Sequence, residues 1–196
     1  EQLIEVYYYL TEAIGAENVK AFLFNQCYAE AKDVLGKEIF RFRDMATLLR
    51  NYPNALSNDH KVNKFFQLFY AWSREGGGGN HDGYSIQQTA SIDWWYGTPN
   101  PKRLIIHISD GSPTCYRCEH PGHYDDDEIE KHYRNVVQTL LRDKWVICGV
   151  DVSNQAGRMD VYYGADNCVA TTEDPGQMMK KFIEFFKTKV KVKKAI

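Results

Sequence analysis

The stretch RLIIHISDGSPT, residues 103–114, begins as a nearly continuous apolar run and stops on an aspartate followed by Gly, Ser and Pro. A short apolar run of this kind is typical of a strand covered on both faces in a parallel sheet. Asp110 then has two interpretations. Asp and Gly are favoured in the turn after a strand, and ligands of parallel α/β sheets bind outside the carboxyl ends of the strands.

Strand-like and helix-like segments alternate around this stretch. The predicted strands are residues 18–24, 37–42, 103–108, 144–152 and 167–171, and the predicted helices are residues 1–15, 43–51, 60–75, 83–95, 125–142 and 175–191. This alternation predicts an α/β fold with a mainly parallel sheet. At 196 residues, the chain is long enough to bury a real core, and we predict one domain over residues 1–196.

Composition narrows the class of protein. Hydrophobic residues make up 43% of the chain and charged residues 26%, and the formal net charge is −2. No global field therefore favours nucleic acid or acidic membranes, and no apolar stretch approaches the length of a membrane span. The five cysteines are an odd number and mostly scattered, which argues against a secreted disulfide framework. The sequence predicts a cytoplasmic protein without membrane or nucleic-acid partners.

Two motifs carry a family resemblance. The first is N-x-D-G followed by a small–apolar pair (Asn80, Asp82, Gly83, Ser85, Ile86), and the second is ISDGSP at residues 108–113. With the order of elements around them, they resemble a von Willebrand factor A (vWA) domain, and within that family the C-terminal vWA domain of bacterial or phage CobT-like cobalt-chelatase subunits. The resemblance covers essentially the whole chain. It implies a three-layer, Rossmann-like fold with a mainly parallel central sheet and helices on both faces.

Domains of this family carry a metal-ion-dependent adhesion site that holds Mg²⁺. The resemblance maps its third-loop aspartate onto Asp110 and its second-loop threonine onto Asn80, with Asp82 close enough to assist. Oxygen ligands of this kind suit Mg²⁺, which usually keeps waters and an open position. The family's first loop, D-x-S-x-S, does not occur in this sequence. We therefore expect its central strand upstream of Glu1, which makes the vWA-like domain N-terminally incomplete.

The resemblance also implies a function. Such a domain is a non-catalytic, Mg²⁺-dependent protein-interaction module, in which an acidic residue of the partner completes the coordination of the metal. The implied partner is an AAA+ ATPase of the chelatase or MoxR type. One alternative is a subunit of a cobalt-chelatase-like enzyme that inserts the metal. Another is a degenerate vWA module with a structural or nucleic-acid-associated role, although the charge balance disfavours nucleic acid.

A second candidate site lies in residues 115–128, CYRCEHPGHYDDDE. Cys115 and Cys118 have the C-x2-C spacing that lets two thiolates share one Zn²⁺, and His120 and His123 follow closely. Structural zinc sites usually draw their ligand pairs from two separate segments. A polar surface loop with exposed thiols is therefore the alternative interpretation.

Other conspicuous residues receive structural interpretations. Asp151 is predicted to cap the turn that follows its strand, and His107, inside the apolar run, is predicted to be a core histidine with its hydrogen bonds satisfied. Nothing in the sequence resembles a nucleophile–base triad. The four glycines at residues 76–79 lack the Lys-Ser/Thr of a phosphate-binding loop.

Overall fold

A computed structural model describes residues 2–25, 28–35, 71, 74, 79–96, 103–114, 126–153, 157–170 and 175–190 of the chain. Contacts divide the chain into two compact units, Glu1–Gly79 and Asn80–Ile196, and each is described by itself. One domain over residues 1–196 stays a prediction.

The first unit opens with helix α1, Gln2–Ile14, as predicted. Val6 and Leu10, one turn apart, are its buried side chains among those described. Gly15 ends the helix because its φ of 88° lies in the left-handed region that glycine adopts without strain. Its N–H donates to the carbonyl of Thr11 at 3.0 Å, which satisfies one of the last helical acceptors.

An antiparallel strand pair follows. Strand β1, Phe22–Phe24, pairs with strand β2, Tyr28–Glu30, and the rings of Phe22 and Tyr28 stack with centroids 5.1 Å apart. Helix α2, Ala31–Leu35, continues directly from β2. The predicted strand at residues 18–24 is thus confirmed in its last three positions, whereas β2 and α2 were not predicted. The strand predicted at residues 37–42 and the helix predicted at residues 43–51 lie outside the described residues. Of the helix predicted at residues 60–75, only positions 71 and 74 are described, and both are helical.

The second unit contains a three-stranded parallel sheet. Its strands β3 (Leu104–Ser109), β4 (Val146–Asp151) and β5 (Cys168–Ala170) lie in the order β3-β4-β5. In the register of the first pair, His107 lies opposite Gly149 and Ser109 lies opposite Asp151. All three strands were predicted, and the α/β class with a parallel sheet is confirmed.

Four helices belong to this unit in the part of the chain that is described: α3 (Asp82–Ala90), α4 (Asp126–Arg142), α5 (Asp160–Tyr163) and α6 (Pro175–Val190). Helix α4 lies between β3 and β4 in the chain, as a parallel pair requires a long crossover. The helix predicted at residues 83–95 is divided: α3 ends at Ala90, and a 3-10 turn follows at Asp93–Tyr96.

The core of the second unit lies between α4 and the sheet. Helix α4 buries Ile129, Tyr133, Val137 and Leu140, spaced by four, four and three residues, which is the period of one helix face. Four aromatic residues of this core pack in two pairs: the ring of Trp95 meets that of Trp145 edge-on at 5.1 Å, and the ring of Tyr133 stacks on that of Tyr162 at 4.2 Å.

The strands differ in how far they are covered. Five consecutive residues of β4, Ile147 to Asp151, are buried, and successive residues point to opposite faces, so both faces of β4 are covered. In β3 only Ile105, His107 and Ser109 are buried, while the alternate residues are partly exposed. The expected coverage on both faces therefore holds for β4 and only in part for β3. Helix α6 packs against β5, which lies at the opposite edge of the three-stranded sheet from β3. No helix in the described ranges has the length and apolarity needed to cross a membrane.

Candidate metal centre

The carboxyl edge of the sheet holds Asp110, the first residue after β3. Its Oδ1 accepts a hydrogen bond of 3.0 Å from the N–H of Ser112, which closes the turn as the structural interpretation predicts. Gly111 has a φ of 68°, and a side chain there would meet Met159 at 2.9 Å. The turn is therefore fixed by both backbone conformation and packing, and it places the Asp110 carboxylate beside the next loop.

Asn80 lies on that neighbouring loop. It forms an isolated antiparallel bridge with Thr114, in which the Thr114 N–H donates to the Asn80 carbonyl at 2.9 Å. The N–H of Asn80 donates in turn to the Thr114 hydroxyl at 3.2 Å. This bridge brings the Asn80 side chain to Asp110, and Nδ2 of Asn80 lies 3.4 Å from Oδ1 of Asp110.

Asp82, the first residue of α3, is fully buried. Neither of its carboxylate oxygens has a well-aligned hydrogen-bond donor among the described residues. Burial, and secondarily the nearby charge of Asp110, raise the pKa of Asp82 from 3.8 to about 7, with the Ser109 side chain acting in the opposite direction. A buried carboxylate without aligned donors is costly, and such groups are more common at functional sites than elsewhere.

His107 is next to Asp82, with its Nε2 3.4 Å from Oδ1 of Asp82. The two side chains do not form an ion pair, because burial lowers the pKa of His107 to about 3 and keeps the imidazole neutral. On the other side of the ring, Nδ1 is 2.7 Å from the hydroxyl of Tyr163 and 3.2 Å from that of Tyr133. Burial raises the pKa of both tyrosines, so both hydroxyls keep their protons. The prediction of a core histidine with satisfied hydrogen bonds is confirmed for the burial of the ring and for Nδ1, whereas Nε2 and Oδ1 of Asp82 are not aligned as a hydrogen bond.

The carboxylate of Asp151, at the end of β4, accepts hydrogen bonds from backbone N–H groups of residues that follow it in the chain. Its Oδ1 accepts a hydrogen bond of 2.8 Å from the N–H of Ser153, and its Oδ2 lies 3.4 Å from the N–H of Met159. The predicted turn-capping role is confirmed. Both carboxylate oxygens of Asp151 therefore already accept hydrogen bonds, and Asp151 is not counted among the candidate metal ligands.

The three predicted magnesium ligands, Asn80, Asp82 and Asp110, thus lie at one edge of one sheet. Together they carry two carboxylates and one amide, and oxygen atoms of these groups are ligands that Mg²⁺ accepts. In this structure Nδ2 of Asn80, and not its oxygen, faces Asp110. Within the described ranges, no group of three His, Cys, Asp or Glu side chains is arranged to hold a metal. The predicted zinc ligands Cys115, Cys118, His120 and His123 lie outside the described residues.

Sequence reasoning missed the two tyrosines that bind His107. Tyr133 was recognisable as core-facing, because it belongs to the regular apolar face of α4. Its contact with His107, 26 positions away, leaves no local signal. Tyr163 belongs to the four-residue helix α5, which is too short for a periodic pattern.

Known proteins do not assign this arrangement to a family: no protein-family model matches the chain, and no curated protein or solved structure matches it either. The class is therefore defined by the geometry. It is an α/β protein with a cluster of oxygen-bearing side chains at the carboxyl edge of a parallel sheet.

Proposed function

We propose that this chain is a non-catalytic protein-interaction domain of the vWA kind that depends on Mg²⁺. The observation that carries the proposal is the buried Asp82 carboxylate, which lies near Asp110 and has no well-aligned hydrogen-bond donor within the described part of the chain. Its polar neighbours there include the Ser109 side chain and Nε2 of His107, which is 3.4 Å from Oδ1. A bound cation would stabilise such a group, because it would compensate the negative charge that burial and the neighbouring anion disfavour.

Position supports the same proposal. Asp110 follows β3 directly, and Asn80 reaches it across the bridge to Thr114. The carboxyl edge of a parallel sheet is where α/β proteins bind their ligands. Within the proposal, Asn80, Asp82 and Asp110 would hold Mg²⁺, and the ion would supply an open coordination position for a carboxylate.

The occupant of that open position is proposed to be an Asp or Glu of a partner protein. In keeping with the vWA resemblance, the proposed partner is an AAA+ ATPase of the chelatase or MoxR type. With a formal net charge of −2, the chain has no basic field that would favour a nucleic-acid partner instead.

The test has two stages, both with the purified full chain. Isothermal titration with Mg²⁺ should give one site, and Asp110→Ala should weaken its affinity roughly 10-fold or more, because one anionic ligand is lost. Asp143→Ala is the matched control, since Asp143 is an exposed aspartate in the turn after α4. A purified AAA+ ATPase of the chelatase type should then be retained by the wild type in Mg²⁺ and released by EDTA. Retention that is indifferent to EDTA and to Asp110→Ala would contradict the proposal.

A further inference from the structure

Behind the candidate metal centre, four buried side chains form a continuous series. Tyr133 and Tyr163 have their hydroxyls 3.0 Å apart, the Tyr163 hydroxyl is 2.7 Å from Nδ1 of His107, and Nε2 of His107 is 3.4 Å from Oδ1 of Asp82. None of the four is more than 5% exposed. The first three belong to α4, α5 and β3, so the series joins three packed elements to the first residue of α3.

The tautomer of His107 decides the direction of the series. Nδ1 lies 2.7 Å from the Tyr163 hydroxyl and 3.2 Å from the Tyr133 hydroxyl, and the Tyr133 hydroxyl lies 3.0 Å from that of Tyr163. A neutral imidazole has one N–H, so an Nδ1 that accepts from these hydroxyls leaves the proton on Nε2. Nε2 is the ring nitrogen next to Asp82, 3.4 Å from its Oδ1.

The packing holds each ring in place. Gly149 lies opposite His107 in the β3–β4 register, and a side chain there would meet the Tyr163 ring at 2.8 Å. The ring of Tyr163 thus occupies the space that a larger residue 149 would fill. Tyr133 is fixed by its stacking on Tyr162. Because the rings cannot rotate freely, the distances along the series are a property of the fold.

We infer that His107 is a positioning residue for the candidate metal centre. Its Nε2, held 3.4 Å from Oδ1 of Asp82 by the contacts of Nδ1 with Tyr163 and Tyr133, would act on that oxygen and leave the other carboxylate oxygen for the ligand. This inference rests on the proposed function, because it gives Asp82 a ligand to bind. Partners of this kind fix the orientation of a binding carboxylate, and their loss typically weakens metal affinity about 10–100-fold.

The first readout needs no metal. In EDTA, ¹⁵N-histidine NMR of the full chain should show His107 as the Nε2–H tautomer, with its signal assigned by its loss in His107→Gln. Asp82→Asn and His107→Leu, alone and together, should give non-additive shifts in the denaturation midpoint, since the two side chains interact. An Nδ1–H tautomer, or additive shifts, would overturn the inference whether or not the protein binds Mg²⁺.

The second readout is Mg²⁺ affinity by titration calorimetry. His107→Leu should weaken binding about 10–100-fold, Tyr163→Phe should weaken it about 10-fold, and His107→Gln should stay within about threefold of the wild type because its amide can donate in place of Nε2. Tyr162→Phe is the matched control, since it removes a neighbouring hydroxyl outside the series. Unchanged affinity in both His107→Leu and Tyr163→Phe would overturn the positioning role. Absence of Mg²⁺ binding by the wild type would instead refute the proposed function, with the NMR result still deciding the direction of the series.

Discussion

The Asp82 carboxylate lies fully buried at the start of α3 without a well-aligned hydrogen-bond donor among the described residues, and this placement makes the native state sensitive to pH. Burial raises its folded pKa from 3.8 to about 7. The native state therefore binds this proton more tightly than the unfolded state does. The contribution of Asp82 to the free energy of unfolding falls as pH rises from about 4 to about 7 and is level above that range, with a total loss on the order of 4 kcal/mol. The buried neutral His107, whose pKa is lowered from 6.5 to about 3, acts in the opposite direction below about pH 6.5.

Asp82→Asn should remove this pH dependence. In EDTA, we expect the variant to gain stability relative to the wild type between pH 4 and pH 7, and to be more stable by about 2–4 kcal/mol at pH 8. Urea denaturation of both proteins across this range measures the difference. Asp143→Asn, an exposed aspartate, should give a difference that does not change with pH. Parallel stability curves for Asp82→Asn and the wild type would show that Asp82 ionises normally in the fold.

At the scale of elements, the close packing of α3 on α4 depends on Gly83. A side chain at this position would lie 2.8 Å from the Cα of Tyr133 and 3.1 Å from its backbone nitrogen. Backbone atoms cannot move aside as the end of a flexible side chain can. The glycine therefore sets the distance between the helix that carries Asp82 and the helix that carries Tyr133.

Gly83→Ala should accordingly destabilise the protein by about 1–3 kcal/mol, although alanine is the better helix former. Thermal denaturation measures this loss. Gln87→Ala in the same helix is the control, because Gln87 is exposed, and it should be neutral or slightly stabilising. Equal midpoints for the two variants would mean that α3 and α4 can separate without cost.

The elements of the second unit that sequence patterns predicted are those with a strong local signal. Three elements are recognisable from the local sequence: β3 and β4 by their apolar runs, and α4 by its regular apolar face. The structure confirms all three. The elements that were missed, β2, α2 and α5, have three to five residues. Elements of this length are determined mainly by tertiary contacts, which override weak local preferences.

In the candidate site too, some residues have a local sequence signal and others do not. Asp110 and Asn80 were found because a strand end and a sequence motif mark them, and they lie 3.4 Å apart. The interaction of His107 with Tyr163 joins residues 56 positions apart. No spacing rule connects such residues, so only the packed structure brings the pair together.

At the scale of the whole molecule, a ligand that binds the native state alone adds its binding free energy to folding. Mg²⁺ at 100 times its dissociation constant should therefore raise the free energy of unfolding by about 2.7 kcal/mol. We expect a higher denaturation midpoint in MgCl2 than in NaCl of equal ionic strength. Asp110→Ala should lose most of this gain, and Asp143→Ala should keep it. A gain that is equal in all three proteins would indicate a general salt effect.

The absent side chain of Gly149 has a consequence for how β3 and β4 align. A slip of one residue would turn the buried face of a strand outwards, which the core already forbids. A slip of two would keep the faces, yet it would set Ile147 or Asp151 opposite His107, where the Tyr163 ring now lies. Either side chain would exclude that ring. Because Gly149 has no Cβ, the ring of Tyr163 on α5 fits only the observed register of β3 and β4. The apolar pattern of the two strands would also accept a register shifted by two residues.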